Sequence, residues 1–554
     1  MRDPPLLVPS GLAAQQPVTV DVDGDGKRQE EHVFASISSA VLFGAEGHAV
    51  TVEVYVGDGL PGFHIVGLPD ATVREARDRV RAAVVAAGVQ FPESKVIVNL
   101  APSQQRKSGS GLDLAIAVGV LVADGHIPSE SLRGLAFLGE LGLDGSLRAI
   151  AGVAPMAGVL GDLDLVVPVA SAPEAEVAAR GRVRPVAHLA ELRATLEHDA
   201  PWPDHDPPPA VVLAASEPDM SEVRGQPMAR RALELAAAGG HHLLFVGPPG
   251  AGKTMLASRL PGLLPDLEID QALETTMVHS AAGVALPPSG LVTRPPFRAP
   301  HHTSSQISII GGGSHSLRPG EISIATGGVL FLDELPEFAP SVIETLRQPL
   351  EDGSVHVARA AVSAVMPAHF QLVAAMNPCP CGGGAPGSCE CGEARTAKYL
   401  QRVSGALLDR FDLRVRVTRP AVDDLLSTEV GESTAAIAER VAAARRRSID
   451  RQGCLNAQLP PRLLDEMAPL DDAARQLLRD EVESDRLSGR GYHRVRRVAR
   501  TIADLSAHLP TDPSADPSAY TGEAAGGVIG EATLALALGM RMSLRSDRER
   551  RSVA

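Results

Sequence analysis

The sequence predicts an α/β protein of several domains, and three observations lead to this prediction. The chain has 554 residues, which is too long for one hydrophobic core and fits about two to four domains. Between Val33 and Leu196, strand-like alternation and helix-like spacing of apolar residues follow one another. A glycine-rich loop at 247–254 stands between an apolar strand pattern and a helix pattern, as phosphate-binding α/β domains require.

The composition is that of a globular protein, with 44% apolar and 21% charged residues. Charged residues or glycines interrupt each apolar stretch before the ~18 residues that a membrane span needs, and no export signal is visible. We therefore expect a cytoplasmic protein without membrane contact. The net charge of −15 excludes a surface coated with nucleic acid, but a local positive channel remains compatible with it.

Changes in composition divide the chain into segments. In the first folded segment, Val50–Val56 and Lys95–Leu100 have strand patterns, and Val73–Ala87 has helical spacing. A run of prolines at 201–209 predicts a stiff linker. The expected segments are a disordered extension (1–32), an α/β domain (33–200), a proline-rich linker (201–219), a nucleotide-binding core (220–420), a helical lid (421–545) and a basic tail (546–554).

The glycine-rich loop predicts a nucleoside triphosphate site with Mg²⁺. Its backbone N–H groups would cradle the phosphates, Lys253 would reach the β- and γ-phosphates, and Thr254 would hold Mg²⁺. The residues of this loop are Gly247, Pro248, Pro249, Gly250, Ala251, Gly252, Lys253 and Thr254.

Two further strand patterns end in polar residues. The apolar run Gly328–Leu332 delivers Asp333, a candidate Mg²⁺ ligand, and Glu334, a candidate base for the attacking water. The run Leu372–Met376 ends at Asn377, whose amide could orient that water. A simple Asn-Pro turn is the alternative interpretation of Asn377.

Together with Leu407–Asp412, these motifs resemble the AAA+ ATPases, in the branch of magnesium chelatase and minichromosome-maintenance helicases. The resemblance implies ATP as the nucleotide, a head-to-tail ring, expected to be a hexamer, and Arg410 acting on the neighbouring subunit's nucleotide. Without that context, Arg410 between acids would be a surface ion pair. In the lid, Arg490 best matches the second sensor arginine of related proteins, and Arg494 is the alternative.

Longer segments resemble the ComM/YifB group of magnesium-chelatase-like proteins. They are Gly62–Asp70, Arg74–Val80, Arg298–Thr303, Gly311–Gly313 and Arg318–Ile322. The resemblance implies a DNA motor, a helicase or branch-migration factor in recombination or DNA uptake, acting on single-stranded, forked or junction DNA. The alternatives are the ATPase subunit of a magnesium chelatase and an AAA+ chaperone that remodels proteins.

The first folded segment resembles the α/β domain of Lon protease, through Lys107–Ala115. In this register Gly111 stands at the position of the nucleophilic serine and Ala154 at that of the lysine. Because a Ser–Lys mechanism needs both groups, we expect no proteolysis. A shifted dyad of Lys107 with Ser108 or Ser110 is the alternative.

A β-hairpin is predicted at 353–362, between the acids and Asn377. In the related helicases this hairpin enters the ring's pore, which makes Arg359 a candidate for DNA contact; an ordinary surface arginine is the alternative. For His301, His302 and His315, contacts of a loop facing the pore are favoured over metal binding. The terminal arginines, Arg541, Arg545, Arg548, Arg550 and Arg551, fit either DNA contact or solvation.

The last pattern consists of two C-x-C pairs separated by seven residues. Four thiolates on a Gly-rich loop can close a tetrahedral Zn²⁺ site, although free thiols or disulfides remain alternatives. The candidate ligands are Cys379, Cys381, Cys389 and Cys391, whereas Cys454 stands alone and is expected to be structural.

Overall fold

The structure is a computed structural model that describes residues 34–57, 59–103, 107–205, 218–313, 317–359, 362–383, 389, 391–427, 430–506 and 527–542. The expected disordered extension, most of the linker and the basic tail lie outside the described residues. Two large sheets, three two-stranded sheets and a helical region make up what is described, and the predicted α/β class is confirmed.

The N-terminal region is built on a mixed seven-stranded sheet in the order β3-β4-β2-β1-β5-β8-β9. Strands β1, β2 and β4 pair antiparallel, and the remaining pairs are parallel. Strands β6 and β7 form a separate pair. The strands are β1 (Phe34–Phe43), β2 (Glu46–Gly57), β3 (Gly62–Val66), β4 (Lys95–Ala101), β5 (Leu135–Phe137), β6 (Glu140–Leu141), β7 (Leu147–Arg148), β8 (Asp164–Pro168) and β9 (Val183–Val186).

Five helices cover this sheet: α1 (Ala71–Ala86), α2 (Asp113–Ala123), α3 (Val153–Val159), α4 (Ala172–Glu176) and α5 (Leu189–His198). Helix α1 begins after Asp70, whose Oδ1 accepts the Val73 N–H at 2.8 Å, and it buries Val80 and Val84. The predicted strands and helix of this region are therefore confirmed. The first linker residues lie on this region as well, because Trp202 packs against its core.

The central region holds a parallel five-stranded sheet in the order β11-β14-β17-β10-β18. All five strands end at the same edge, which is where parallel α/β sheets present functional groups. Four further strands of this region form two separate pairs, β12 with β13 and β15 with β16. The strands of the central region are β10 (Leu243–Val246), β11 (Phe297–Arg298), β12 (Gly311–Gly312), β13 (Arg318–Pro319), β14 (Val329–Leu332), β15 (Ser354–Arg359), β16 (Val362–Pro367), β17 (Gln371–Met376) and β18 (Leu413–Arg416).

Short helices connect these strands. They are α6 (Pro227–Gly239), α7 (Lys253–Ala257), α8 (Leu260–Leu263), α9 (Ile269–Ala282), α10 (Gln306–Ile310), α11 (Glu321–Ile324), α12 (Pro340–Thr345), α13 (Pro349–Asp352), α14 (Glu393–Leu400), α15 (Gly405–Leu408) and α16 (Val422–Leu426).

The predicted hairpin is present as β15 and β16, which pair antiparallel from Ser354 opposite Pro367 to Arg359 opposite Val362. Its base is anchored in the core by the buried side chains of Val355 and Met366. It is inserted between β14 and β17, the strands that end at the predicted catalytic acids and at Asn377. Along the chain, the hairpin is joined to β17 by only residues 368–370, whereas α12 and α13 separate it from β14.

The lid is helical as predicted, with α17 (Thr434–Gln452), α18 (Leu464–Met467), α19 (Asp472–Glu483), α20 (Gly489–Ser506) and α21 (Glu531–Gly539). Apolar residues of α20 such as Val495, Val498 and Ile502 are buried, because they recur at helical spacing on one face. In the described part of the chain, no helix combines the length and apolarity needed to cross a membrane.

The N-terminal region contacts the central region through α3 and α9. The Gly152 N–H donates to the backbone oxygen of Ser280 at 2.9 Å, and the Ala154 N–H lies 3.3 Å from Ser280 Oγ. The Ser280 hydroxyl also bonds to the Glu174 carboxylate. These polar contacts fix one edge of the N-terminal region against the central region.

Candidate nucleotide-binding site

The phosphate loop connects β10 to α7 at the carboxyl edge of the central sheet. Gly252, directly before α7, has φ of +88°, a conformation that favours glycine. At Gly247, an added Cβ would lie 2.1 Å from the carbonyl oxygen of Val417, so no side chain fits there. The strand–loop–helix context predicted for residues 247–254 is present.

Lys253 binds the loop from inside. Its Nζ donates to the backbone oxygens of Gly247 at 2.7 Å and Pro248 at 3.0 Å, and to Asn377 Oδ1 at 3.0 Å. Burial lowers the pKa of Lys253, and the carboxylates of Asp333 and Glu334 oppose this shift. The structure thus brings together the lysine and the amide that the sequence predicted from separate motifs.

Thr254 and Asp333 form the candidate magnesium site. Thr254 Oγ1 donates to Asp333 Oδ2 at 2.5 Å, so the two predicted oxygen ligands converge from α7 and from the end of β14. A hydroxyl and a carboxylate are the hard oxygen ligands that Mg²⁺ prefers beside substrate phosphates. These residues fit the ion that the motif predicts.

Glu334 stands on an unusual backbone. Its φ is +51°, in the left-handed region, which costs a non-glycine residue about 1 kcal/mol or more and is typical of functional sites. Its carboxylate is half-exposed, and Oε2 lies 3.1 Å from Nδ1 of His302. The His302 ring in turn lies against that of His301, with ring centroids 4.1 Å apart. The Glu334 carboxylate is therefore in contact with the segment that follows β11.

Arg410 is engaged within its own chain. Its guanidinium pairs with the Glu351 carboxylate, and Nη1 donates to the backbone oxygen of Ala406 at 2.8 Å. The arginine side chain is only 9% exposed, whereas that of Glu351 is 60% exposed. This is the ion pair expected without the family context. The structure therefore holds Arg410 by contacts within its own chain.

The two lid arginines differ in their surroundings. Arg494 Nη1 lies 2.6 Å from Oδ1 of the buried Asp412, which also accepts the His242 N–H at 3.2 Å. Burial alone would raise the pKa of Asp412, but His241 and Arg494 hold it well below its usual range. Arg490, in the first turn of α20, is exposed and has no ion-pair partner within the described part of the chain.

The other predicted contact residues are only partly described. Arg359 is the last residue of β15, at the far end of the hairpin from its base. His315 and the terminal arginines from Arg545 onward lie outside the described residues. Arg541 does not belong to a solvated tail, because Nη1 donates to the backbone oxygen of Phe411 at 2.6 Å and burial lowers its pKa to about 9.

The cysteine cluster lies directly after β17. Cys379 Sγ is 3.3 Å from both Cys381 Sγ and Cys389 Sγ, and Cys391 completes a group whose sulfur atoms all lie within 4.8 Å of one another. In the part of the chain that the structure describes, this is the single group of three or more His, Cys, Asp or Glu residues arranged for a metal ion. All five cysteines are free, including Cys454.

The shifted dyad proposed for the N-terminal region is not assembled. Lys107 is buried, and its Nζ donates to the backbone oxygen of Pro102. Ser110 instead donates to the Glu140 carboxylate. Ala154, at the position of Lon's lysine, is fully buried and lies against Ser280 of α9. The Lys107 amine is therefore bonded to a backbone oxygen, and Ser110 is bonded to a carboxylate instead of to this lysine.

Sequence reasoning missed three contacts of this site. His302 was assigned to a loop facing the pore rather than to Glu334, and Glu351 was not assigned at all. Gln226 donates from Nε2 to the backbone oxygen of Ala251 at 3.2 Å and also to that of Thr418, tying the phosphate loop to the segment after β18. Of these three residues, only His302 had a sequence signal, because it lies in Arg298–Thr303, which resembles the ComM/YifB group.

Family models match most of the described chain. The model described as magnesium chelatase, subunit ChlI, matches residues 219–425. The model for subunit ChlI of Mg-chelatase matches residues 52–170, and that for its C-terminal part matches 431–514. The three matches cover the N-terminal region, the central region and much of the lid.

Three relatives are similar to this chain over nearly their whole length, whereas a fourth matches over 17% of its own. An uncharacterized protein of Mycobacterium tuberculosis is 43% identical over 86% of this chain and 96% of its own. YifB of Escherichia coli is 41% identical over 85% of this chain and 93% of its own. The competence protein ComM of Haemophilus influenzae is 40% identical, with 85% and 94% covered. The chicken DNA helicase MCM8 shares 26% identity over only 32% of this chain.

Proposed function

From the premise that this chain, an AAA+ ATPase, belongs to the YifB/ComM family of magnesium-chelatase-like proteins, we propose that it is a ring-forming DNA motor. Hydrolysis of ATP would drive helicase or branch-migration activity on single-stranded, forked or junction DNA, in recombination or DNA uptake. The ring is proposed to be a hexamer, and its compartment the cytoplasm, where ATP is present and thiols such as these stay reduced.

The observation that carries this proposal is the position of the β15–β16 hairpin. It is inserted between β14, which ends at Asp333 and Glu334, and β17, which ends at Asn377. Along the chain, two strands that position hydrolytic groups thus precede and follow an element with Arg359 at its far end. An arginine on such an element can bind a phosphate of a nucleic acid strand and move as the site changes state.

The reaction at the site follows from the contacts of this chain. The loop N–H groups and the Lys253 ammonium would bind the triphosphate, and Thr254 and Asp333 would hold Mg²⁺, which would supply positive charge to the phosphates. Glu334, released from His302, accepts a proton from the attacking water, and Asn377 orients that water. Arg410 of the adjacent subunit would then stabilise the charge that develops on the γ-phosphoryl group.

Two observations support the absence of protease activity. The residues at the positions of Lon's dyad, Gly111 and Ala154, carry no nucleophile or base, and Ala154 faces α9. The N-terminal region would instead serve as a platform for the ring or for DNA.

The second candidate function is that of a magnesium-chelatase ATPase subunit, since all three matching family models carry that description. The similarity to ComM and YifB over more than nine-tenths of their lengths favours the DNA motor. ComM is named a competence protein, which fits a role in handling incoming DNA.

The discriminating experiment measures ATP turnover with forked DNA, with a four-way junction, with a protoporphyrin-binding chelatase partner, and with none of them. We expect DNA to raise turnover several-fold, and more strongly at low salt. Arg359→Ala should weaken DNA binding, whereas Arg347→Ala, a surface arginine paired with Glu344, should not. Stimulation by the porphyrin partner alone would contradict the DNA motor.

A further inference from the structure

We propose that Cys379, Cys381, Cys389 and Cys391 bind one structural Zn²⁺ that holds the loop after Asn377 against the phosphate loop. The four sulfur atoms come from both ends of the segment between β17 and α14. A closed four-thiolate set leaves no open position for substrate, which makes the site structural rather than catalytic.

The distances between the sulfur atoms fit a shared ion. Tetrahedral Zn²⁺ with bonds of about 2.3 Å places its sulfur ligands about 3.8 Å apart. Cys379 and Cys381 are 3.3 Å apart, Cys381 and Cys389 are 3.5 Å apart, and no pair in the group exceeds 4.8 Å. A disulfide bond would place two sulfur atoms about 2.05 Å apart, so these distances fit neither one disulfide nor two among the four cysteines.

The surroundings also fit a zinc site. The Gly383 N–H lies 3.4 Å from Cys381 Sγ, and the Cys391 N–H lies 3.4 Å from Cys389 Sγ. Backbone N–H groups that point at thiolates are the outer contacts that stabilise their charge in metal sites. Three of the four cysteines are at least partly accessible, which gives an ion a route in, whereas Cys379 is 3% exposed and anchors the group.

The cluster is in contact with the catalytic apparatus at two points. Cys379 is two residues beyond Asn377, whose Oδ1 accepts from Lys253 at 3.0 Å. At Gly382, a Cβ would lie 2.7 Å from Cγ of Pro249, so the backbone of the cysteine loop rests directly on the phosphate loop. Closing this loop around an ion would therefore restrict both Asn377 and Pro249. Release of the ion would loosen the site without removing a group that touches the nucleotide.

The first test is metal analysis of the full chain, purified without chelators or metal-affinity resin. We expect about one zinc per chain, and a mercurial that attacks thiols should release it in step with four of the five cysteines. Substitution with Co²⁺ should give the visible spectrum of a tetrahedral thiolate site. Iron instead of zinc, or less than about one-tenth of a zinc with the thiols free or paired, would overturn the proposal.

The second test compares variants. In the double variant Cys381→Ser and Cys389→Ser, the zinc content per chain should fall at least about tenfold. Cys454→Ser, which changes a cysteine outside the cluster, should keep its zinc. The double variant should also lose about tenfold in ATP turnover. That expectation depends on the proposed function of the nucleotide site, whereas the expected zinc content does not depend on it. Zinc retained by the double variant would contradict the ligand assignment, and if that variant fails to fold, the measurements on the unaltered chain decide.

Discussion

Within the ATPase core, the phosphate loop already holds its partners in one chain, whereas Arg410, predicted to complete the site, is held by an acid of its own chain. Lys253 contacts Asn377, and Thr254 contacts Asp333. Arg410 pairs with Glu351, and Arg490 points to solvent. The difference fits the proposed ring, in which one chain preassembles nucleotide binding and the neighbouring subunit would supply the last cation.

The largest effect should come from breaking the preassembled half. Lys253→Ala removes the cation that binds the loop and the phosphates, so binding and catalysis are both lost and ATP turnover should fall by more than about 1000-fold. A phosphate-release assay measures it, with Lys398→Ala, an exposed lysine of α14, as the control. Turnover unchanged by the Lys253 substitution would place the nucleotide elsewhere.

The next effect concerns Arg410, which would complete the site in the proposed ring. Arg410→Ala should lower turnover about 1000-fold in assembled rings while leaving ATP affinity nearly unchanged, because the arginine acts on transition-state charge. Equilibrium binding of a fluorescent ATP analogue and steady-state turnover separate the two quantities. Arg402→Ala, which removes an exposed arginine paired with Glu337, is the matched control. Equal losses of affinity and turnover would indicate a purely structural arginine.

The contact that holds Arg410 should have a smaller effect of opposite sign. Glu351→Gln frees the guanidinium, and because a partly exposed ion pair is worth about 1 kcal/mol at most, turnover should rise by no more than about fivefold. Glu344→Gln, which disturbs the surface pair with Arg347, should change nothing. A fall in turnover on Glu351→Gln would show that Glu351 positions the arginine instead of restraining it.

The smallest effect concerns the pH dependence of folding stability and involves His242, which directly precedes β10. Burial lowers the pKa of His242 to about 4, and its Nδ1 accepts the Leu372 N–H at 3.0 Å, so the fold holds the neutral ring. The unfolded chain binds this proton below about pH 6.5. The stabilisation is therefore complete above that pH and is lost as pH falls towards 4.

Replacing His242 by Asn keeps an acceptor for the Leu372 N–H but removes the titration. Between pH 6.5 and 4, the variant should lose about 2 kcal/mol less unfolding free energy than the unaltered chain, discounted for partial exposure. Denaturant unfolding at both ends of this window measures the difference, with exposed His198→Asn as control. An identical acid loss in the His242 variant would show that the ring is already protonated in the fold.

The sequence predicted the preassembled half better than the other half for a physical reason. A phosphate loop and strands ending in polar residues are local patterns, and parallel strands bring their carboxyl ends to one edge. The pairing of Arg410 with Glu351 and the contact of His302 with Glu334 join separate segments. No periodicity encodes such pairings. The positive φ of Glu334 had no sequence signal either, because it is imposed by tertiary packing.

The central claim is that the hydrolytic site is completed by a neighbouring subunit, and mixed rings test it most directly. A ring made only of Arg410→Ala subunits lacks the arginine at every site, and a ring made only of Glu334→Gln subunits lacks the glutamate. Each variant alone should therefore be nearly inactive, although the first keeps Glu334 and the second keeps Arg410. In mixtures, an Arg410→Ala site beside an intact arginine should recover a clear fraction of the unaltered turnover. Turnover in mixtures that never exceeds the sum of the two variants, with mixed assembly verified by co-purification of differently tagged subunits, would contradict the account.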